Sequence, residues 1–126
     1  DLMTEIFLQS RDKGMDSTSF RKFKYRMAIL RERLGMGPGA GIMRELISEN
    51  PNYDQYYLNL RWMLWDDAEV LEEVNESENE IVKAMFNKEV SDEHFLSLLA
   101  EERENGSSEY IYFRRFINGL KLALGY

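Results

Sequence analysis

The spacing of apolar residues predicts a helix near the start of the chain. From Phe20 to Leu34, apolar residues return every three or four positions, and a helix with 3.6 residues per turn places such residues on one side. We define the first stripe as Phe20, Phe23, Met27, Leu30 and Leu34. We expect the first stripe to face the core, Asp16 or Ser17 to cap the helix, and Gly35 to end it.

Three later segments show the same helical spacing and begin with residues that favour helix N-termini. The capping candidates are Ser77, Ser91, Ser107 and Ser108. Ser77 and Glu80 have the spacing of a capping box, in which each side chain bonds the backbone N–H of the other residue. We expect the helix after Ser91 to end at Gly106 and the last helix to end at Gly125, because glycine tolerates the positive φ of a C-terminal cap.

The stretch GMGPGAG, residues 35–41, is predicted to be a loop, because its glycine and proline dipeptides break regular structure. A short helix should follow it and end before Pro51, and a longer aromatic helix should start with Asn52 as its N-cap. No segment alternates apolar and polar residues as a half-buried strand does. We therefore predict an all-α fold, a compact single-domain bundle of roughly six or seven helices over residues 1–126.

The chain is long enough to build one hydrophobic core. It has 126 residues, of which 44% are hydrophobic, and chains of this length usually form a single domain. It contains no cysteine and no apolar run near the roughly 20 residues that span a bilayer, and its first residues lack the order of a signal peptide. We therefore expect a cytoplasmic protein without disulfides, thiolate metal sites or membrane contact.

Acidic residues are concentrated in the second part of the chain. Residues 1–50 hold nine Lys or Arg and seven Asp or Glu, a balance of +2, whereas residues 51–126 hold seven and sixteen, a balance of −9. We define the acidic segment as residues 66–80, whose acids are Asp66, Asp67, Glu69, Glu72, Glu73, Glu76, Glu78 and Glu80. We expect a solvated surface here. Contact with the basic helix, within the fold or across a homodimer, and contact with a basic partner protein stay open as alternatives.

The helix that carries the first stripe is rich in cations, which divide around the stripe. Lys22, Arg26 and Arg33 follow one flank, and Lys24 and Arg31 follow the other. A protein that tracks nucleic-acid phosphates needs its cations together, whereas long basic side chains often lie beside an apolar stripe with their charges in water. We favour the second interpretation and keep two alternatives, phosphate binding by Lys22, Arg26 and Arg33 and contact with an acidic partner protein.

Aromatic residues are dense in residues 53–65. This predicted helix is apolar on nearly all sides, which is typical of a helix in the middle of a core. A domain of this size does not easily enclose a helix completely, so we expect some rings to stay exposed, with Tyr56 and Trp62 as the candidates. Because Tyr, Trp and Arg most often anchor protein interfaces, Arg61 and Trp65 join them as candidate contacts.

The sequence holds no combination of residues typical of a catalytic or metal site. The single histidine, His94, has no second histidine or cysteine with which to share a metal. The glycines of residues 35–41 follow a predicted helix, and this stretch lacks the lysine of a phosphate-binding loop. We therefore predict no catalytic residue, no metal site and no cofactor, and we expect His94 to be exposed.

The sequence thus favours a non-enzymatic helical protein–protein interaction module, such as an adaptor, an inhibitor or a regulatory protein. It would present aromatic anchors and the acidic segment to a basic protein partner or to a second copy of itself. The predicted contact residues are Tyr56, Arg61, Trp62, Trp65, Asp66, Asp67, Glu69, Glu72 and Glu73. The alternative is a nucleic-acid-associated protein that contacts phosphates through the basic helix, residues 19–34.

Overall fold

Seven α-helices form the part of the chain that the computed structural model describes, residues 17–37 and 39–120. They are α1 (Ser17–Arg33), α2 (Gly39–Glu49), α3 (Asp54–Met63), α4 (Ala68–Glu76), α5 (Glu80–Met85), α6 (Asp92–Asn105) and α7 (Ser108–Gly119). These residues contain no strand, so the predicted all-α fold is confirmed. None of the seven described helices is long and apolar enough to cross a membrane.

Helices from both halves of the chain share one core. α1 packs on α2 and α2 packs on α3, while α5, α6 and α7 contact one another and α2 also contacts α7. Three fully buried rings join α3, α6 and α7: the Phe113 ring centroid lies 5.7 Å from that of Tyr57 and 6.4 Å from that of Phe95. Because aromatic rings bury large apolar areas, this cluster contributes strongly to the packing of these helices.

The inward side of α1 differs from the predicted first stripe. Met27 is buried as expected, but Leu30 and Leu34 are 43% and 55% exposed. Lys24 and Ala28 are buried instead. The prediction is therefore wrong for Leu30 and Leu34, because the contact with α2 sets the orientation of α1 more strongly than its own apolar residues do.

Two features of α2 explain this orientation of α1. The Lys24 ammonium lies beside two glutamates of α2, with Nζ 2.8 Å from Glu49 Oε1 and 3.3 Å from Glu45 Oε2. At the start of α2, Gly39 lies so close to α1 that a Cβ atom there would overlap the carbonyl oxygen of Ala28. The absent side chain of Gly39 and the small one of Ala28 therefore let the two helices approach closely.

The glycine loop is shorter than predicted. The end of α1 agrees with the prediction, since Gly35 follows the helix with a φ of +64°. However, Gly39, Ala40 and Gly41 form the first turn of α2 and are buried, so the loop prediction is wrong for these residues. Gly39 serves close helix packing rather than chain flexibility. The capping candidate Asp16 lies outside the described residues.

Two of the predicted N-terminal caps are confirmed. Ser91 Oγ accepts a hydrogen bond from the backbone N–H of His94 at 3.1 Å, and Ser107 Oγ accepts one from the N–H of Tyr110 at 3.1 Å. The predicted end of α6 is also confirmed, because Gly106 has the left-handed φ of +58°. Side chains that satisfy free N–H groups at a helix start are local signals, which is why the sequence revealed them.

The predicted capping box at Ser77 is wrong, because Asn79 caps α5. The side-chain oxygen of Asn79 accepts from the N–H of Val82 at 3.0 Å, and its amide nitrogen donates to the carbonyl oxygen of Glu109 at 2.9 Å. Ser77 Oγ instead accepts from the N–H of Asn79 at 3.2 Å. An amide can accept and donate at once, so Asn79 both caps α5 and ties it to α7. The predicted end at Gly125 lies outside the described residues.

The aromatic helix starts one residue later than predicted. α2 ends at Glu49, before Pro51 as expected. Tyr53 rather than Asn52 occupies the N-cap position of α3, and no side chain there bonds the first free N–H groups. The backbone N–H of Tyr53 bonds the carbonyl oxygen of Asn50 at 3.4 Å, so the turn itself sets the helix start.

Candidate functional site

Arg61 is a buried residue that supports the candidate site. It is 1% exposed, although the sequence suggested a contact with a partner. Its guanidinium donates hydrogen bonds to the carbonyl oxygens of Asn87, at 2.9 Å, and Val90, and it forms an ion pair with Asp92. A buried charge is stable only when it is paired and hydrogen-bonded. These contacts join α3 to the turn before α6, so Arg61 holds the surrounding surface in place.

Trp65 stacks on this buried cation. The Arg61 guanidinium carbon lies 4.4 Å from the ring centroid of Trp65, within the range of a cation–π contact. Lys88 Nζ lies 6.0 Å from the same ring, and Lys88 also forms an ion pair with Asp66. The ring of Trp65 is half-buried and is therefore fixed between a structural arginine and an exposed lysine–aspartate pair.

Trp62 and Trp65 line a cleft of about 330 Å³, which we call the tryptophan cleft. Its other lining residues are Leu58, Arg61, Asp66 and Asp92. Trp62 is 57% exposed, so the expectation of an exposed ring is confirmed for this residue. Four of the predicted contact residues thus line one cleft, and one of the four, Arg61, is buried. The cleft combines apolar rings with carboxylates.

Asp92 is the charged member of the tryptophan cleft that sequence analysis missed. Its side chain is 67% exposed and pairs with Arg61, which lies 31 residues earlier. The local pattern indicated only that a helix begins after Ser91, where an acidic residue in the first turn is favourable. A contact over such a distance in sequence leaves no periodic signal, and only the fold reveals it.

Tyr56 is separated from the tryptophan cleft and is buried. It is 5% exposed, so the expectation of an exposed ring is wrong for this residue. Its ring centroid lies 5.6 Å from that of Tyr25 and 4.7 Å from that of Tyr53. The neighbouring rings from α1 and from the turn before α3 cover it. Tyr56 therefore belongs to a second cleft, described below.

The acidic segment forms α4 and the turns on either side of it. Asp67 caps α4, since its side chain accepts from the N–H groups of Glu69 at 3.0 Å and Val70 at 3.1 Å. Val70 and Val74 are buried on the inner side of α4. Four glutamates are exposed and form no side-chain ion pair within the described residues: Glu69, Glu72, Glu73 and Glu76. Asp67 has a structural role, whereas these carboxylates are available to a partner.

The cations of α1 differ in burial, because Lys24, predicted to keep its charge in water beside the stripe, is buried, so the prediction is wrong for this residue. Lys24 is occupied by its two glutamate partners in α2. Lys22, Arg26 and Arg33, the cations of the alternative hypothesis, are all exposed. Of these three, Lys22 lines the second cleft and the other two do not. The glutamates that pair with Lys24 belong to α2, whereas Asp66 of the acidic segment pairs with Lys88.

Neither the histidine nor the carboxylates form a recognisable metal site in the described part of the chain. No group of three or more His, Asp or Glu side chains suited to a metal ion occurs in residues 17–37 and 39–120. His94 is exposed, as expected. Its backbone N–H is used in the cap of α6. The chemistry that the site offers is therefore apolar contact, cation–π contact and charge.

Comparison of the chain with protein-family models, with curated proteins and with solved structures finds no match. The geometry of the tryptophan cleft and of the acidic segment is therefore the basis for assigning a function.

Proposed function

We propose that this chain is a non-enzymatic interaction module that binds a basic segment of a partner protein. The tryptophan cleft receives a lysine or arginine side chain, and the carboxylates of the acidic segment attract and orient the rest of the basic segment. The observation that carries the proposal is the exposed ring of Trp62 in a cleft that also presents the carboxylates of Asp66 and Asp92.

The rings of the cleft suit a cationic ligand. Trp65 already lies within cation–π distance of Arg61 and at 6.0 Å from Lys88 Nζ, and tryptophan is the best aromatic partner for a cation. Both side chains of the Lys88–Asp66 ion pair are exposed, that of Lys88 by 57% and that of Asp66 by 77%. Exposed pairs contribute little to stability. A partner cation can therefore replace Lys88 at Asp66 at small cost.

Shape and burial favour Trp62 as the anchor. Interface energy is usually concentrated in a few Trp, Tyr and Arg residues that become fully covered on binding. Trp62 is 57% exposed as a residue and lines a cleft of about 330 Å³. Arg61 fixes the backbone on which Trp62 stands, so the ring is presented from a rigid helix rather than from a loop.

The charge of the acidic segment supports a basic partner rather than an acidic one. Four exposed glutamates of α4, which form no ion pair with another described residue, lie within ten residues of Asp66, and the whole chain has a formal charge of −7. Complementary charge accelerates encounter and excludes partners of the wrong sign. We therefore expect α4 to determine the association rate and its salt dependence, and Trp62 to determine the dissociation rate.

Titration with a labelled oligolysine peptide of about ten residues tests the proposal, with an oligoglutamate of equal length as the negative probe. We expect Trp62→Ala to weaken oligolysine binding about tenfold or more. Glu72→Lys with Glu73→Lys should lower the association rate and flatten its salt dependence. Tyr112, on α7 and 49% exposed, gives a matched control, and Tyr112→Ala should bind as the parent does.

Two results would remove the proposal. The first is equal oligolysine binding by the parent, Trp62→Ala and the charge-reversed variant. The second is no oligolysine binding by the parent at low salt. Circular dichroism of each variant accompanies the titration, because loss of helix in Trp62→Ala would show that the ring is structural.

A further inference from the structure

A second cleft, of about 190 Å³, lies between the first half of α1 and the turn before α3. We call it the tyrosine cleft. Its lining includes Arg21, Lys22, Tyr25, Tyr53 and Tyr56. It therefore combines cations with aromatic rings, whereas the tryptophan cleft presents carboxylates. The two clefts share no lining residue, so they can bind different ligands.

The cations of the tyrosine cleft have no acidic partner in the described structure. Arg21 and Lys22 form no side-chain ion pair or hydrogen bond within the described residues. By contrast Lys24, two positions later, is held by Glu45 and Glu49. Two neighbouring cations that have no acidic partner among the described residues create a site that favours an anion.

The positive charge of Arg21 acts on the hydroxyl group of Tyr56. Burial raises the pKa of Tyr56 above its ordinary value, and the positive charge of Arg21 acts in the opposite direction. The negative charge of Glu49 also raises the pKa of Tyr56, but this carboxylate forms an ion pair with Lys24. Arg21 therefore acts electrostatically on the rings of the cleft, and Lys22 adds a second cation to the same lining.

The rings of the tyrosine cleft form a fixed base with one exposed member. Tyr56 packs against Tyr25, whose hydroxyl accepts a hydrogen bond from Asn59 Nδ2 at 2.7 Å. Tyr53 is 48% exposed and contacts Tyr56 edge-on, with the centroids 4.7 Å apart. An exposed ring next to cations is the arrangement on which single-stranded nucleic acids stack their bases.

We propose that the tyrosine cleft binds one nucleotide unit, with the base stacked on Tyr53 and the phosphate held by Arg21 and Lys22. The volume of the cleft falls below the roughly 300 Å³ at which pockets for whole drug-sized ligands begin, so it suits one ring-sized unit. The same chemistry is offered by a free nucleotide and by an unpaired unit in a single strand. This inference is independent of the partner proposed for the tryptophan cleft.

The site differs from a general basic surface. Arg26 and Arg33 are exposed on the same helix but do not line the cleft. With a chain charge of −7, duplex binding along the whole of α1 is disfavoured, because a strongly acidic protein repels a polyanion except at local cationic sites. Recognition at the tyrosine cleft is therefore restricted to a short single-stranded segment or a single nucleotide.

Binding of a short oligouridylate, of adenosine monophosphate and of inorganic phosphate to the full chain tests this inference across a salt series. We expect Tyr53→Ala to weaken oligouridylate binding about fivefold or more. Lys22→Gln should make the logarithmic salt slope shallower by about 0.7, the contribution of one phosphate contact on a single strand. Tyr112→Ala and Arg33→Gln are the matched controls and should leave both quantities unchanged.

The three probes distinguish the source of the ligand. Binding of oligouridylate but not of adenosine monophosphate assigns the cleft to a strand, and the reverse assigns it to a free nucleotide. Binding of neither overturns the inference, as does equal loss in the cleft variants and their controls. Binding of inorganic phosphate as tightly as adenosine monophosphate would show that the base is not recognised and would also overturn it. Trp62→Ala should bind the nucleotide probes normally, which separates this test from that of the tryptophan cleft.

Discussion

At the scale of single residues, the least expected feature is that a cation lies under the candidate interface. Arg61 is almost completely buried and bonds two backbone carbonyl oxygens as well as Asp92. Its guanidinium also stacks on Trp65. The arginine was predicted as a contact because arginine is common in interfaces, yet the same planar group is equally suited to tie two elements together.

Removal of Arg61 should therefore destabilise the fold. We expect Arg61→Ala to lower the free energy of unfolding by about 3 kcal/mol, since it removes three charge-assisted hydrogen bonds and leaves a cavity. Asp92→Asn should cost less, about 1 to 2 kcal/mol, because the buried guanidinium loses its ion pair but can still donate to the amide oxygen of the exposed asparagine. Urea denaturation of both variants measures these values, and equal losses would contradict the assigned role of Arg61.

Tyr57 should make the stability of the folded chain depend on pH in the alkaline range. Burial raises the pKa of the Tyr57 hydroxyl to about 12. The hydroxyl donates to the carbonyl oxygen of Pro51 at 2.7 Å and accepts from Arg114 Nη1 at 2.8 Å. Below pH 10 the group is neutral in both the folded and the unfolded chain, so it causes no pH dependence there. As the pH rises from 10 to 12, the unfolded chain ionises first and the folded state loses relative stability.

We expect this loss to amount to roughly 2 to 3 kcal/mol between pH 10 and pH 12. Tyr57→Phe should remove that part of the slope, although it lowers stability at neutral pH by about 1 kcal/mol through the lost hydrogen bonds. The measurement is the difference between parent and variant in urea unfolding at several pH values, in which the other tyrosines cancel. An identical slope in both proteins would contradict the proposed burial effect.

At the scale of helices, the sequence predicted features that depend on neighbouring residues better than features that depend on contact with another helix. The caps at Ser91 and Ser107 and the end at Gly106 follow from residues within one turn of the helix, and the sequence predicted them. The inward side of α1 depends on Gly39 and the glutamates of α2, which belong to another element. That is why the predicted burial of Leu30 and Leu34 was wrong.

The candidate site shows the same division. Arg61, Trp62, Trp65 and Asp66 are close in sequence, so their cluster was visible from the sequence, although the burial of Arg61 was not. Asp92 reaches them only through the packing of α6 near the end of α3. The tyrosine cleft likewise joins α1 to the turn before α3, and no local pattern brings Lys22 next to Tyr53.

The close approach of α1 and α2 gives a test at this scale. Gly39→Ala should lower the free energy of unfolding by about 1 to 3 kcal/mol, because the added methyl group would overlap the carbonyl oxygen of Ala28. Gly119, the last residue of α7, has no atom within 4 Å of an added Cβ. Gly119→Ala should therefore be neutral or stabilise by up to about 1 kcal/mol. Urea unfolding compares the two, and equal effects would contradict the tight packing at Gly39.

At the scale of the whole molecule, two clefts of different charge share no lining residue. Lys22, Arg26 and Arg33 of α1 are exposed, and so are four glutamates of α4. The tryptophan cleft combines aromatic rings with carboxylates near α4, and the tyrosine cleft combines aromatic rings with cations of α1. We infer that this separation lets one small helical protein hold a basic protein segment and a nucleotide unit without competition between them.

The most direct test of the central proposal is an NMR titration of the indole N–H signals with oligolysine. The chain contains two tryptophans, and both line the tryptophan cleft, so these signals report on that cleft alone. We expect both signals to shift together and to saturate as the peptide binds, with loss of the effect at high salt. Saturable oligolysine binding that leaves both indole signals unmoved would contradict the proposal.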